Sequence, residues 1–243
     1  MTATLEAENE TTATVTTVTT VTAPAGSMLA VLKALASHAS PVERYPASRS
    51  YVMTHIHIRS VGRIGRPSLI ATNGITLAEF HADAGSEWKV EGPDVIIPAA
   101  DVLKAAKSVL KTKRGHDALP ATIAVDLVSS RWSIVGPDVL NTAGGPILDI
   151  GAKFPPTDNV HAPIAWPNDT VRLACSKLSA CAESAEAIGS TGMDVDSMKP
   201  GGVSAFSADG CGGRLVMLLM SMTLPKQAAK KEAERMATSA EPR

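Results

Sequence analysis

Ile70-Ala71-Thr72-Asn73-Gly74-Ile75-Thr76-Leu77-Ala78-Glu79-Phe80 reads as two short extended arms hinged at Asn-Gly. That dipeptide favours a tight hairpin because glycine takes positive φ at no steric cost and asparagine tolerates it better than most residues. Ile70, Leu77 and Phe80 supply apolar anchors on either side of the bend. A hairpin by itself fixes only a local pair of strands. What lies at fixed distances along the chain decides the architecture.

Three helical patterns frame the hairpin. The first runs over Met28–Ala39, with Ser27 as its expected N-cap, Leu29, Leu32, Leu35 and Ala36 on one face, and Lys33 off it. The second runs over Ala99–Lys111 behind Pro98, with Val102, Leu103, Ala106, Val109 and Leu110 facing inward. The third runs over Thr170–Ile188, capped by Asp169 or Thr170, with Val171, Leu173, Leu178 and Cys181 as its apolar side. The starts are about 71 residues apart each time, an even period that marks tandem supersecondary units.

Extended segments follow each helix. They are Tyr51–Arg59, Pro67–Thr72 and Ile75–His81; then Thr122–Val128, Trp132–Val135 and Val139–Ile150; then Val203–Ala208 and Leu215–Leu224. Short apolar segments, Val95–Ile97 and Ile164–Trp166, precede the second and third helices. The unit is a strand, a helix, then two or three antiparallel strands, which predicts an α+β fold of three tandem units. The expected organisation is an arm over 1–26, a two-unit domain over 27–160, a shortened third unit over 161–224 and a charged tail over 225–243. The arm is low in complexity and without sustained period, so it is expected to be disordered. Removing residues 1–26 and 226–243 should then shift the melting temperature by only about a degree or two.

Composition narrows the chemistry. With 243 residues, 44% of them hydrophobic, the chain can bury one large core or two modest ones. A net charge of −1 neither demands nor excludes a polyanionic partner, and 3% aromatic content leaves little material for base-stacking platforms. Cys175, Cys181 and Cys211 form no CxxC pair, which fits a reduced, cytoplasmic protein. Cys175 and Cys181 fall in an apolar helical pattern and read as buried thiols rather than ligands. No apolar run approaches the roughly 18 residues of a membrane span.

Little in the chain suggests catalysis. His55 and His57 share one strand face without a third ligand in view, so they read as a solvated face and no metal is expected. Asp94, Asp101, Asp126 and Asp149 are scattered, and the glycines at 144–145 and 201–202 read as strand turns. Nucleophile-elbow, phosphate-loop and metalloprotease motifs are all missing, so a non-enzymatic protein with no cofactor is expected.

Four short segments, in order, resemble the bacterial sliding clamps, the beta subunit of DNA polymerase III. Thr72-Asn73-Gly74-Ile75-Thr76-Leu77-Ala78 is similar to the family's Thr-Asp-Gly-His-Arg-Leu-Ala. Arg49-Ser50-Tyr51-Val52 resembles its Arg-Tyr-Tyr-Leu strand, and Lys153-Phe154-Pro155-Pro156 its Lys-Phe-Pro-Asp-Tyr linker. Leu218-Leu219-Met220-Ser221-Met222-Thr223-Leu224 resembles its terminal Val-Val-Met-Pro-Met-Arg-Leu. The resemblance covers about residues 27–224, corresponding to the family's middle domain and part of its last. Ile75 and Thr76 replace its His-Arg pair, and Ser221 its proline.

The resemblance implies a homo-oligomeric processivity factor that holds a DNA polymerase on duplex DNA. The alternative is a monomeric module that captures clamp partners without encircling DNA. The implied peptide groove, which would take clamp-binding motifs of the polymerase and other proteins, falls on Val52, Thr72, Gly74, Leu77, Pro155, Val160, Leu218 and Met220. Read without the family, Leu77, Leu218 and Met220 serve equally as core. Lys104, Lys107 and Lys111 recur on one helix face, and Lys33, Arg172 and Lys177 sit on the other two helices. Their bland reading is a solvated face. The resemblance assigns them to sequence-independent phosphate contact.

Overall fold

The computed structural model describes residues 17–41, 52–110, 116–138, 140–147, 153–157, 175–197 and 203–220. Folded structure begins earlier than the composition suggests. Val18–Pro24 is a strand, β1, with Thr19, Val21 and Ala23 turned inward. The expectation of a disordered arm through residue 26 is therefore corrected from Val18 onward. Its local sequence has no telling period, but distant segments supply partners on both sides. These are β5 (Lys89–Glu91) and β7 (Pro120–Asp126), the latter in register from Val18 opposite Asp126 to Pro24 opposite Pro120. β-branched Val and Thr suit such a site once it exists.

Helix α1 (Ala25–Ala36) starts directly after Pro24, so Ser27 is not its cap. The Ala25 and Gly26 amides donate instead to the carbonyls of Leu119 (2.9 Å) and Asp117 (3.0 Å), which satisfies donors that a side chain usually caps. Strands β2 (His55–Arg59), β3 (Ser68–Thr72) and β4 (Thr76–Ala82) follow. Pairing of Thr72 with Leu77 makes Gly74-Ile75 the two central hairpin residues, one position later than the Asn-Gly hinge expected. Gly74 has φ +82°, the positive value that this class of turn needs first.

Next come β6 (Val95–Pro98), α2 (Ala99–Val109), β8 (Arg131–Val135) and β9 (Thr142–Pro146). The chain then gives α3 (Cys175–Ala187), β10 (Asp194–Ser197), β11 (Val203–Gly210) and β12 (Gly213–Met220). The expected strand at 164–166 and the glycines at 201–202 lie outside the described residues. Gly144 and Gly145 lie within β9, so they are edge-strand residues and not a turn.

Two antiparallel sheets result, ordered β5-β1-β7-β8-β9 and β10-β11-β12-β4-β3-β2-β6. The strand before each of the first two helices crosses into the other unit's sheet. β1 joins β7–β9, and β6 joins β2–β4. This exchange ties units one and two into a pseudo-symmetric pair. The third unit adds its strands to the first, because β12 pairs with β4 from Gly213 opposite Ala82 to Leu219 opposite Thr76. α1 packs against both other helices and touches both sheets. The core between layers holds Met28, Leu32, Leu35, Ile56, Phe80, Ile97, Ile123 and Ile134, all nearly inaccessible.

The outer face of the larger sheet is covered around His55, Glu79 and His81 and half-covered at His57, which corrects the reading of the strand histidines. His55 is buried beside Thr54 Oγ1 at 2.8 Å, and His57 lies against the Phe154 ring with centroids 5.0 Å apart. Glu79 and His81 are buried on the same face of β4, 3.4 Å apart. No helix among the described residues is long and apolar enough to cross a membrane.

Third-unit docking also uses a polar contact between helices. Ser184 of α3 donates to Ala180 O at 2.7 Å, and its Oγ lies 2.9 Å from Ser37 Oγ and 3.1 Å from His38 Nε2. Burial, and secondarily the Lys177 charge, lowers the His38 pKa from 6.5 to about 4. Its folded pKa lies below the unfolded one, so stability is complete above about pH 6.5 and is lost as pH falls towards 4. The full loss is on the order of 3 kcal/mol. Urea unfolding of the native chain and of His38→Gln, at pH 7 and pH 4.5, should show a smaller pH loss in the variant. Equal losses would mean that His38 carries no linkage.

Candidate functional site

The Gly74-Ile75 turn projects one wall of a cleft of about 270 Å³. Alternation along β4 sends Ala78, Phe80 and Ala82 to the main core and Leu77 to the opposite face. There Leu77 meets Ile70 of β3 and Leu218 of β12, its direct cross-strand partner. Leu77 and Leu218 are 5% and 3% exposed and form the floor. Segment 153–157 makes the facing wall through Pro155 and Pro156, held down by Phe154 on the Leu77 cluster and by the Val52 amide donating to Lys153 O at 3.0 Å. Met53 and Val203 complete the rim.

The turn is rigidly hydrogen-bonded. Asn73 N–H donates to Thr76 O (3.2 Å) and Gly74 N–H to Thr72 Oγ1 (3.1 Å). Ile75 and Thr76 N–H both donate to Asn73 Oδ1, at 2.9 and 2.8 Å. Thr72 Oγ1 donates to Thr76 O at 2.8 Å. Asn73 thus acts through its side chain at the turn's first position, and Ile75 is pushed outward, 48% exposed.

Of the expected groove residues, Thr72, Gly74, Leu77, Pro155 and Leu218 line this one cleft. Val52 is adjacent but does not line it; its neighbour Met53 does. Val160 and the Met220 side chain lie outside the described residues. Sequence reasoning missed Met53, Ile75, Thr76, Pro156, Thr157 and Val203. Val203 reaches the cleft through its pairing with Met220 on β12, which the sequence does not state.

The helix layer is electrically mixed. Lys33 of α1 and Lys104 and Lys107 of α2 are exposed, Lys177 of α3 is half-buried, and Lys111 and Arg172 lie outside the described residues. Asp101 on α2 and Glu183 and Glu186 on α3 are exposed among them. α3 therefore does not continue the basic stripe of α2. Among the described residues no three His, Cys, Asp or Glu side chains gather as a metal site. Cys181 is fully buried, and burial pushes its thiol up to about 11, which suits packing rather than ligation. The Cys175 side chain lies outside the described residues.

No protein-family model matches the chain, and no curated protein matches it in sequence. Solved structures do match in fold. A sliding clamp (DNA polymerase III subunit beta) from Pseudomonas aeruginosa, bound to griselimycin, superposes with a TM-score of 0.58 at 12% identity, covering 84% of this chain and 65% of that one. The pol III beta of Caulobacter crescentus gives 0.58 at 13% identity, covering 90% and 70%. The proliferating cellular nuclear antigen of Entamoeba histolytica gives 0.54 at 10% identity, covering 85% and 99%. At such identities the likeness is one of fold. The chain is similar to bacterial sliding clamps and spans about 65% of the length of the Pseudomonas chain.

Proposed function

We propose that the chain is a non-enzymatic, clamp-like factor that captures a short extended peptide of a polymerase or other replication protein in the cleft over Leu77 and Leu218. The observation that carries this reading is the cleft itself. It is a mostly apolar concavity between a sheet face and a proline-walled segment, in a chain with the sliding-clamp fold. Apolar anchors of about 1.5–3 kcal/mol each, less ordering costs, support a micromolar-range constant near about −8 kcal/mol. A hexapeptide with Leu and Phe anchors is the probe. Ile75→Lys places a cation at an exposed rim position, so it should weaken binding about tenfold with the melting temperature unchanged. Undiminished binding by the folded variant would move the site elsewhere.

Duplex DNA is the proposed second partner, met by the helix layer through Lys33, Lys104 and Lys107. Replacing all three with Ala should reduce the slope of log K against log salt by roughly two to three, equally for all sequences. An unchanged slope would leave these lysines as a solvated face.

A second reading, a monomeric partner-binding module, is favoured by the edge of β9, beyond which no strand lies among the described residues. By the pseudo-symmetry of units one and two, β9 corresponds to β4, whose edge holds β12. The bonds Gly136 N–Asn141 O and Ile147 N–Ser130 O fix the alternation, so Thr142, Gly144 and Pro146 turn their backbone outward. Pro146 has no N–H and Gly144 no side chain, so this edge is a poor template for another strand. Solution mass with and without duplex DNA separates a homo-oligomer from this module.

A further inference from the structure

We propose that the cleft selects its peptide by charge, accepting a segment whose residue beside the Asn73–Thr76 turn is uncharged and excluding one that bears a carboxylate there. This rests on the peptide-cleft reading above and adds the chemistry of the occupant. The cleft offers an anion almost nothing. Among the described residues its lining holds no cation, and the position facing out of the turn is the aliphatic Ile75.

A tight glycine turn can still bind anions through backbone amides, but this one is spent. All four amides from Asn73 to Thr76 donate within the turn, two of them to the single oxygen Asn73 Oδ1. The Thr72 hydroxyl is likewise used, since its proton goes to Thr76 O while its oxygen accepts from Gly74. What remains at this wall is alkyl surface and the neutral hydroxyls of Thr76 and Thr157. A carboxylate brought against it is desolvated by Pro155, Pro156 and Leu218 and meets no countercharge, at most a neutral threonine hydroxyl. An uncharged side chain loses far less. The same reasoning makes Ile75 the specificity-determining residue, because it is exposed, stands at the turn tip and is replaceable without touching the core.

The experiment is a paired scan. A terminally blocked hexapeptide with Leu and Phe anchors is synthesised with Asn, and separately Asp, at each non-anchor position. Each peptide is titrated into the full chain at pH 7. The expected result is at least one position where Asp binds ten or more times more weakly than its isostere Asn. Ile75→Arg, which places a guanidinium at the turn tip, should shrink that ratio by about tenfold, whatever affinity the Asn and Asp peptides lose in common. Equal Asn and Asp affinities at every position would overturn charge selection while leaving the cleft as the peptide site. A ratio that Ile75→Arg leaves untouched would overturn the assignment to this wall. If no peptide of the set binds, the peptide-cleft reading itself fails and the inference falls with it.

Discussion

A chain that begins at Ala25 is expected to lose its cooperative unfolding transition. The deletion removes the seven-residue strand β1, bonded to β5 on one side and β7 on the other. Strand β7 would then expose its amides and carbonyls along a whole edge, and β5 would have no partner in its sheet. Thr19, Val21 and Ala23 would leave the core, and α1 would lose the residue from which it starts. Unsatisfied backbone in a former sheet interior is among the costlier defects a domain can carry. A milder form of the test is Val21→Asp in the full chain, where an unpaired carboxylate enters a fully buried site and several kcal/mol are lost. Thermal melts followed by near-ultraviolet circular dichroism read both. A melting temperature within about two degrees of native for the deletion, the behaviour of a disordered arm, would contradict the strand assignment.

Phe80→Ala carries the second large effect. Phe80 is fully buried, its ring lies 4.9 Å from that of Trp88, and Leu69 and Leu215 flank it on the neighbouring strands. Gly213 has no side chain because a Cβ there would collide with the Phe80 ring. Truncation leaves a cavity that two packed sheet strands and a helix cannot close, at a cost of about 3–5 kcal/mol. Against a total stability on the order of 5–15 kcal/mol this is a large share, and it should lower the melting temperature by on the order of 10 °C. Phe80 and Leu77 lie on opposite faces of β4. The fraction that remains folded should therefore bind the cleft peptide with native affinity. A stability loss below about 1 kcal/mol would mean that the site repacks far more freely than its burial implies.

These expectations differ from those of the sequence because some contacts lie far apart along the chain. The three helices, the β3–β4 hairpin and most strands were legible, since each is long or periodic enough to declare itself locally. β1 was not, because a Thr-Val stretch reads as low complexity until β7, about a hundred residues on, gives it a ladder to join. Short β5 and β10 have no period to detect. Burial of His55 depends on packing over the outer face of the sheet, and nothing in the alternation His55-Ile56-His57-Ile58 states which face is covered.

For the cleft, the order of short motifs along the chain groups Thr72, Gly74, Leu77, Pro155 and Leu218, which line it together. Ile75 escaped because the turn closes one residue later than Asn-Gly suggests, which moves that side chain to the rim. The basic stripe is a property of α2 alone, and the exposed Glu183 and Glu186 of α3 break it where the three helices form one layer.

Methyl-resolved NMR during titration with the anchored hexapeptide reads occupancy of the cleft residue by residue. Saturable shifts are expected at the methyls of Met53, Ile75, Leu77, Val203 and Leu218, with a micromolar-range constant. Core methyls of Leu32, Ile123 and Ile134, on the other side of the sheets, should stay in place. Shifts confined to other surfaces, or none at peptide concentrations approaching about a millimolar, would contradict occupancy of the cleft.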